Sequence, residues 1–265
     1  MMSELADLYH QPILVFLCVL TRLSGLLFLA PMFGSRLAPR MARLLLAVAI
    51  ALMITPLHLH QTLPQSTQPL QVLAAVGREA VLGLMMGLSL LVLAGGLQIA
   101  GQLIGQVSGL SAGEFFDPEL GGDASQLGRL FEVVATASFL LVGGHRQVLA
   151  ALLDTFTWLP PGQAGLAAGA LATFVEILTQ SFVLGIRAAA PVLVALLLAT
   201  LVVGLISRVW PQLHAFTVGF NLNALLALAL LSLTMGSAAW LYQEHTEVAI
   251  DALRTMFASV DQGGP

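Results

Sequence analysis

Long apolar runs dominate the pattern of this sequence. Stretches without a formal charge include Ala80 to Gly113, Ala188 to Ile206 and Val209 to Gln243, and each is close to or above the roughly 20 residues that a membrane-spanning helix needs. The runs show no alternation with a period of two residues, and hydrocarbon requires every backbone polar group to be paired within the protein. The pattern therefore predicts an all-α integral membrane protein rather than a barrel.

Polar residues, glycines and prolines divide these runs into predicted spans. The spans lie near residues 12–32, 42–57, 79–104, 129–153, 166–186, 187–207 and 214–242. They make six or seven long helices, depending on whether 166–207 is one hairpin or one broken element. We expect a single membrane domain made of N-terminal helices (12–104), a glycine-rich loop (105–129), central helices (130–186), a C-terminal hairpin (187–242) and an amphipathic tail (243–265).

Composition narrows the class of function. Hydrophobic residues make up 58% of the chain and charged residues 9%, against roughly 25% charged residues in a soluble domain. The ten basic residues are all arginine, the net charge is −4 and no basic block occurs, which argues against nucleic-acid binding. Cys18 is the single cysteine, so the sequence predicts neither a disulfide nor a thiolate metal site. We find no metal, nucleotide or catalytic motif, and predict no cofactor and no catalytic residue.

The distribution of arginine bears on orientation. Arg36, Arg40 and Arg43 crowd the loop after the first predicted span, and the positive-inside tendency would place that loop in the cytoplasm. The loop 114–123 is acidic and the other arginines are scattered, so the orientation stays open.

Several charged residues fall inside the predicted spans, where each costs about 2.5–3.5 kcal/mol on insertion scales. Arg129 and Glu132 lie three apart and can pair along their own helix. Glu176 and Arg187 share a helix face but are too far apart to pair, about 16 Å. Together with Arg22 they need water, another helix or another subunit. The candidate intersubunit or intramembrane polar residues are Arg22, Glu79, Glu132, Glu176, Arg187, Arg208 and Gln212.

Glycines recur at helical spacing in the third predicted span. Spacing of four residues makes a smooth stripe along which another backbone can approach closely. The close-packing candidates are Gly83, Gly87, Gly101 and Gly105. Each glycine also weakens a helix by about 1 kcal/mol relative to alanine, so we expect the helix to end near the last members of the series, Gly109 and Gly113.

The segment from Gln102 to Arg129 is rich in glycine, apolar at its centre and acidic at its far end. Irregular backbone at membrane depth is tolerated where protein lines a cavity, so we interpret the segment as a re-entrant or pore-closing loop, with an ordinary surface loop as the alternative. The predicted plug residues are Gly105, Gly109, Leu110, Gly113, Phe115, Phe116, Asp117, Pro118, Gly121 and Gly122.

An ordered series of short segments extends over about residues 12–242. Its members are Arg22 to Gly25, Pro31 to Gly34, Pro39 with Arg43, Glu79 to Gly87, Ala94 to Ser111, Asp117-Pro118, Gly143 to His145, Thr155-Phe156, Pro161-Gly162, Ala190-Pro191 and Arg208 to Gln212. This series resembles the FliR/SctT family, the export-gate subunits of flagellar and injectisome type III secretion. The chain departs from the family pattern at His214, where asparagine is usual, and at Thr155, where serine is usual.

The resemblance implies a fold and a role. It implies a FliP-like N-terminal part and a FliQ-like C-terminal helical hairpin within a helical hetero-oligomeric core in the bacterial inner membrane, as part of a flagellar basal body or an injectisome. The implied partners are FliP-like and FliQ-like membrane proteins, FlhB-like and FlhA-like export proteins, and unfolded export substrates. It also implies that Leu110, Phe115 and Phe116 seal the pore, and that neighbouring subunits supply partners for Arg22, Glu176 and Arg187.

Two other classes of function agree less well with the sequence. A secondary transporter or channel for a small solute should show related halves meeting at a midplane site, and we find no convincing repeat between 1–130 and 131–265. An intramembrane serine hydrolase would need a sequence motif around its nucleophilic serine. The sequence around Ser111 does not match, because the glycine that should end the motif is absent.

Overall fold

The structure is a computed structural model, described for residues 2–31, 39–59, 69–111, 125–163, 169–210 and 215–262. These residues form α-helices and one short 3-10 turn, Thr55–His58, and contain no strand. The helices are α1 (Met2–Leu29), α2 (Arg40–Ile54), α3 (Pro69–Ser108), α4 (Gln126–Leu141), α5 (Gly144–Trp158), α6 (Ala170–Val209) and α7 (Ala215–Gln262). The predicted all-α fold is confirmed.

Helix length and hydropathy confirm a multi-pass membrane protein. Within the described residues the candidate spans are Gln11–Leu29, Arg40–His58, Pro69–Ser108, Ala170–Val209 and Asn221–Phe257. The predicted span at 129–153 is not one continuous helix, because α4 and α5 are separated at residues 142–143, although together they are apolar enough for one broken span. Gly143 adopts a left-handed φ of 74° at this break, a conformation that glycine adopts without steric cost.

The last two helices are longer than the sequence pattern predicts. The described part of the region 166–207 is neither a hairpin nor a broken element, since α6 continues from Ala170 through Pro191 as one helix. Neighbouring groups in membrane helices can satisfy the carbonyl that a proline leaves unpaired. The amphipathic tail predicted from Glu244 is likewise continuous with α7. Its apolar face is buried, as Ala249, Leu253 and Phe257 show with exposures of 3% or less.

The chain forms two compact units, each built from several segments. The first comprises Met1–Leu91, Gly143–Ile177 and Glu247–Pro265, and the second Val92–Val142 and Leu178–Thr246. In the first unit α1 packs against α2 and against the N-terminal part of α3. The second unit contains the C-terminal part of α3, α4 and most of the hairpin formed by α6 and α7, in which the amide of Asn223 donates to the hydroxyl of Thr200 at 3.0 Å.

Glycines lie where helices approach closely in both units. In the first unit, a Cβ added to Gly83 would meet the backbone carbonyl of Arg22 on α1. In the second unit, a Cβ added to Gly96 would meet the carbonyl of Ser181 on α6, and the Ser181 hydroxyl donates to the carbonyl of Val92 at 2.7 Å. The backbones touch at these crossings because glycine has no side chain that would hold the helices apart.

Candidate functional site

A buried ion pair joins α1 to α3 in the first unit. The Nε of Arg22 lies 2.6 Å from Oε2 of Glu79, and both side chains are 0% exposed. Arg22 occupies the packed face of α1 together with Val19, Leu23 and Leu26. Because this face points inward along several turns, the arginine cannot reach water and depends on groups from other helices.

Those groups satisfy the rest of the guanidinium. Its Nη1 donates to the Thr155 hydroxyl at 3.1 Å, and its Nη2 donates to the carbonyl of Leu159 at 3.0 Å. The Phe156 ring lies beneath it, 4.3 Å from Cζ to the ring centroid, a cation–π geometry. All three nitrogens of Arg22 therefore donate to oxygens of α3, α5 and the turn after α5.

The second oxygen of the carboxylate holds the same turn. Oε1 of Glu79 accepts the backbone N–H of Gly162 at 2.7 Å. Gly162 has a left-handed φ of 85°, which glycine accommodates and other L-residues rarely do. The ion pair thus binds the turn Leu159–Gly162 at two points. We use the name buried cluster for this turn together with four side chains, those of Arg22, Glu79, Thr155 and Phe156.

The buried cluster has the properties of a structural element. Removing two charges from water is expensive, and the expense is recovered only when geometry is good and the remaining donors and acceptors are satisfied. Both carboxylate oxygens and all three guanidinium nitrogens have partners here. The arrangement therefore binds helices together and leaves no polar atom of the pair exposed for a substrate.

Sequence reasoning placed Arg22 and Glu79 among the polar candidates but did not pair them. The resemblance implied a partner for Arg22 in a neighbouring subunit, and the structure corrects this by placing the partner in the same chain, 57 residues away. Thr155, Phe156 and Gly162 were noted only as part of the resemblance. No local pattern marks them, because their role depends on how α5 meets α1.

The other predicted polar residues lie elsewhere. Glu132 on α4 is exposed, and so are Glu176, Arg187 and Arg208 on α6. Gln212 lies outside the described residues. The structure therefore divides the candidate polar set into one buried pair and a group of surface charges.

The predicted plug begins at the end of α3. Gly105 is within the helix, which ends at Ser108, and Gly109 has a φ of 80°. Leu110 is half-buried, and it lines a small pocket of about 160 Å³ with Gly105 and Leu127 in the second unit. The remaining predicted plug residues lie outside the described part of the chain; they are Gly113, Phe115, Phe116, Asp117, Pro118, Gly121 and Gly122.

The described residues contain no group of three or more histidine, cysteine, aspartate or glutamate side chains that is able to hold a metal ion.

Comparison with known proteins complements the geometry. The sequence model of the family described as bacterial export proteins, family 1, matches residues 13–249. The chain belongs to this family.

Relatives in the family match nearly the whole chain. It is 29% identical over 245 residues to the flagellar biosynthetic protein FliR of Pectobacterium carotovorum subsp. carotovorum, covering 90% of this chain and 92% of the relative. It is 29% identical to FliR of Escherichia coli strain K12 over 86% of this chain and 84% of the relative. FliR of Bacillus subtilis strain 168 is 26% identical over 98% of this chain and 99% of its own length.

Family membership agrees with the resemblance found in the sequence. The family match spans the buried cluster, both glycine crossings and the whole of α6. The buried cluster therefore belongs to a membrane protein of the bacterial export protein family.

Proposed function

We propose that this chain is a structural pore subunit of a type III protein export gate in the bacterial inner membrane. With FliP-like and FliQ-like partners it forms the channel that passes unfolded export substrates, and it works beside FlhB-like and FlhA-like export proteins. Family membership and relatives named as flagellar biosynthetic proteins support this proposal and favour a flagellar system. A structural subunit needs no catalytic residue.

The observation that carries the proposal is the length of the exposed apolar surface on α6. Large apolar side chains are exposed from Leu171 (73%) through Leu197 (61%) to Val209 (76%), and the exposed charges Glu176, Arg187 and Arg208 lie among them. At a rise of 1.5 Å per residue this stripe is about 57 Å long. The hydrocarbon core of a bilayer is about 30 Å thick.

Tilting does not remove the mismatch. Helices in membranes rarely tilt by more than about 40°, and at that angle a stripe of about 57 Å still rises about 44 Å. Apolar surface beyond the hydrocarbon would face water unless protein covers it, and large exposed apolar surfaces mark interaction sites. Partner helices are therefore expected along part of α6.

The buried cluster supports the same assignment in a different way. Because Arg22 and Glu79 satisfy each other internally, the first unit offers partners its apolar helix faces rather than unpaired buried charges. The contacts with partners should accordingly depend on shape and packing, as they do between helices in lipid.

The plug assignment is also part of the proposal. Residues 105–122 would close the resting pore, with Leu110, Phe115 and Phe116 excluding water and ions. The end of α3 at Ser108 and the left-handed Gly109 support a change of chain direction where this segment begins.

Co-purification tests the proposal. The tagged chain is co-expressed with its FliP-like and FliQ-like neighbours, purified in mild detergent and weighed by native mass spectrometry. We expect a hetero-oligomer containing both partners. A stable monomer or symmetric homodimer that binds a small solute would instead identify a transporter.

A tryptophan scan along α6 locates the partners. Lipid accommodates a bulky apolar side chain, whereas a packed protein interface does not. Leu171→Trp, Leu197→Trp and Val209→Trp are compared with methionine at the same positions, and we expect at least one tryptophan variant to lose a partner while its methionine control keeps both. Full assembly of all three tryptophan variants would mean that lipid alone covers α6.

A further inference from the structure

An apolar cleft opens in the first unit between α1, α2 and α5. Its volume is about 360 Å³, within the range of small-molecule sites. Its floor is formed by Leu23 and Leu152, which are 0% exposed, and its walls include Met53, Leu57 and Leu153, which are 77%, 75% and 47% exposed. The lining consists of leucine, isoleucine and methionine side chains, so the cleft accepts hydrocarbon and offers a ligand no side-chain hydrogen bond.

The cleft lies among helices that belong to candidate membrane spans. The α1 and α2 walls belong to the candidate spans Gln11–Leu29 and Arg40–His58, and α5 belongs to the bent helix pair. Lipid acyl chains are therefore the apolar molecules present around it. The buried floor and open walls are suited to a chain that enters from the side.

The two outer walls run in the same direction. The His58 ring lies 5.8 Å from the Phe156 ring, centroid to centroid. The lining residues Ile50 and Leu149 precede these rings by about two helical turns on their own helices. The N-terminal ends of α2 and α5 consequently point toward the same end of the cleft.

Each of these N-terminal ends carries an arginine on the lining face. Arg146 precedes Leu149 by three residues and Leu153 by seven, and Arg43 precedes Ile50 by seven, spacings that share one helix face. Arg146 is exposed and Arg43 is half-buried. Positive charge at one end of an apolar cleft complements an amphipathic anion, as basic pockets between membrane helices do for anionic headgroups.

We propose that this cleft binds one acyl chain of an anionic phospholipid, whose phosphate pairs with Arg146. The acyl chain lies over Leu23 and Leu152 and approaches the buried cluster, because Leu152 is one turn from Thr155. The bound lipid is a resident part of the first unit. This inference does not depend on the export role.

Quenching by brominated lipids tests the site. The full-length chain, with Trp158, Trp210 and Trp240 replaced by phenylalanine, receives one tryptophan by Leu153→Trp in the cleft or, as a control, by Leu201→Trp on α6. Each variant is reconstituted in phosphatidylcholine vesicles that contain equal amounts of either brominated-chain phosphatidylglycerol or brominated-chain phosphatidylcholine. The brominated lipids quench a tryptophan only when their acyl chains contact it.

We expect brominated phosphatidylglycerol to quench the cleft tryptophan more strongly than brominated phosphatidylcholine, and both lipids to quench the control equally. Arg146→Gln should lower the preference at the cleft about fivefold, the contribution of one surface arginine, whereas Arg208→Gln should leave it unchanged. Leu57→Trp, on the opposite wall at an exposed position, repeats the measurement if the Leu153 variant does not fold.

Two results would overturn the proposal. Equal quenching of the cleft tryptophan by both lipids, unaffected by Arg146→Gln, would show ordinary lipid contact without a site. Absence of quenching by either lipid, in the chain alone or in its co-purified complex, would show that protein fills the cleft.

Discussion

The backbone carbonyl of Arg22 rests against Gly83, one helical turn beyond the glutamate that holds the Arg22 side chain. Glu79 and Gly83 share one face of α3 because four residues separate them. The ion pair between Arg22 and Glu79 and the backbone contact between Arg22 and Gly83 therefore hold α1 against α3 at the same height along the helices. The ion pair determines which helices meet, and the glycine determines how closely.

Gly83→Ala should destabilise the protein. The added Cβ meets the Arg22 carbonyl, and overpacking of this kind costs about 1–3 kcal/mol, more than the gain of about 1 kcal/mol that alanine brings to a helix. A Cβ added to Gly77 on the same helix would meet nothing within 4 Å, so Gly77→Ala is the control and should be neutral or stabilising. Unfolding in mixed detergent micelles measures both, and equal stability of the two variants would contradict the close approach.

Removing one partner of the ion pair should destabilise the protein strongly. Arg22→Met leaves Glu79 buried without its counter-ion, and Glu79→Leu does the same to Arg22; such losses cost about 3–5 kcal/mol. The double variant should lose much less than the sum, because no unpaired charge is then left. A double-mutant cycle measured by unfolding checks this, and additive losses would mean that the pair is not coupled.

Gly162→Ala tests whether the ion pair holds the turn Leu159–Gly162 in place. An alanine at a φ of 85° costs on the order of 1–3 kcal/mol, and the N–H that reaches Glu79 would shift with it. A Cβ added to Gly169 would meet nothing within 4 Å, so Gly169→Ala is the control variant. We expect proteolysis between α5 and α6 to accelerate only in the Gly162 variant; unchanged cleavage there would mean that the turn tolerates a left-handed alanine.

Adjacent glycines provide a matched pair in the second unit. Gly96→Ala places a methyl group on the Ser181 carbonyl, whereas Gly95→Ala meets nothing within 4 Å. The first variant should unfold at lower denaturing-detergent concentration than the parent and the second at the same or higher concentration. Reversal of this order would show that α3 and α6 do not cross at Gly96.

Deletion of residues 110–120 tests the proposed plug. Apolar groups that close a resting pore exclude ions, so the deletion should leave assembly with partners intact but make membranes conduct small ions. Conductance across planar bilayers measures the leak, and native mass spectrometry controls for assembly. Normal conductance together with normal secretion would show that the segment is not a plug.

The sequence was most informative where the controlling physics is local. The length of an apolar run and the need to pair every backbone group within hydrocarbon predict helices. The helix α3 contains the third predicted span, and α1 and α2 cover most of the first two. The weakening of a helix by repeated glycine predicted a helix end, and α3 ends at Ser108. Arg22 and Glu79 could be selected as polar candidates because a charge inside a span is costly wherever it lies.

The tertiary structure decided which distant groups meet. The sequence carries no period or motif that joins Arg22 to Glu79 or either of them to the turn at Gly162, since a pairing across many residues depends on how whole helices pack. The helix break at Gly143 and the continuity of α6 through Pro191 could not be predicted from the sequence pattern either, because glycine and proline each permit both a break and a continued helix. Local chemistry determined what crosses the membrane, and packing determined what each buried charge holds.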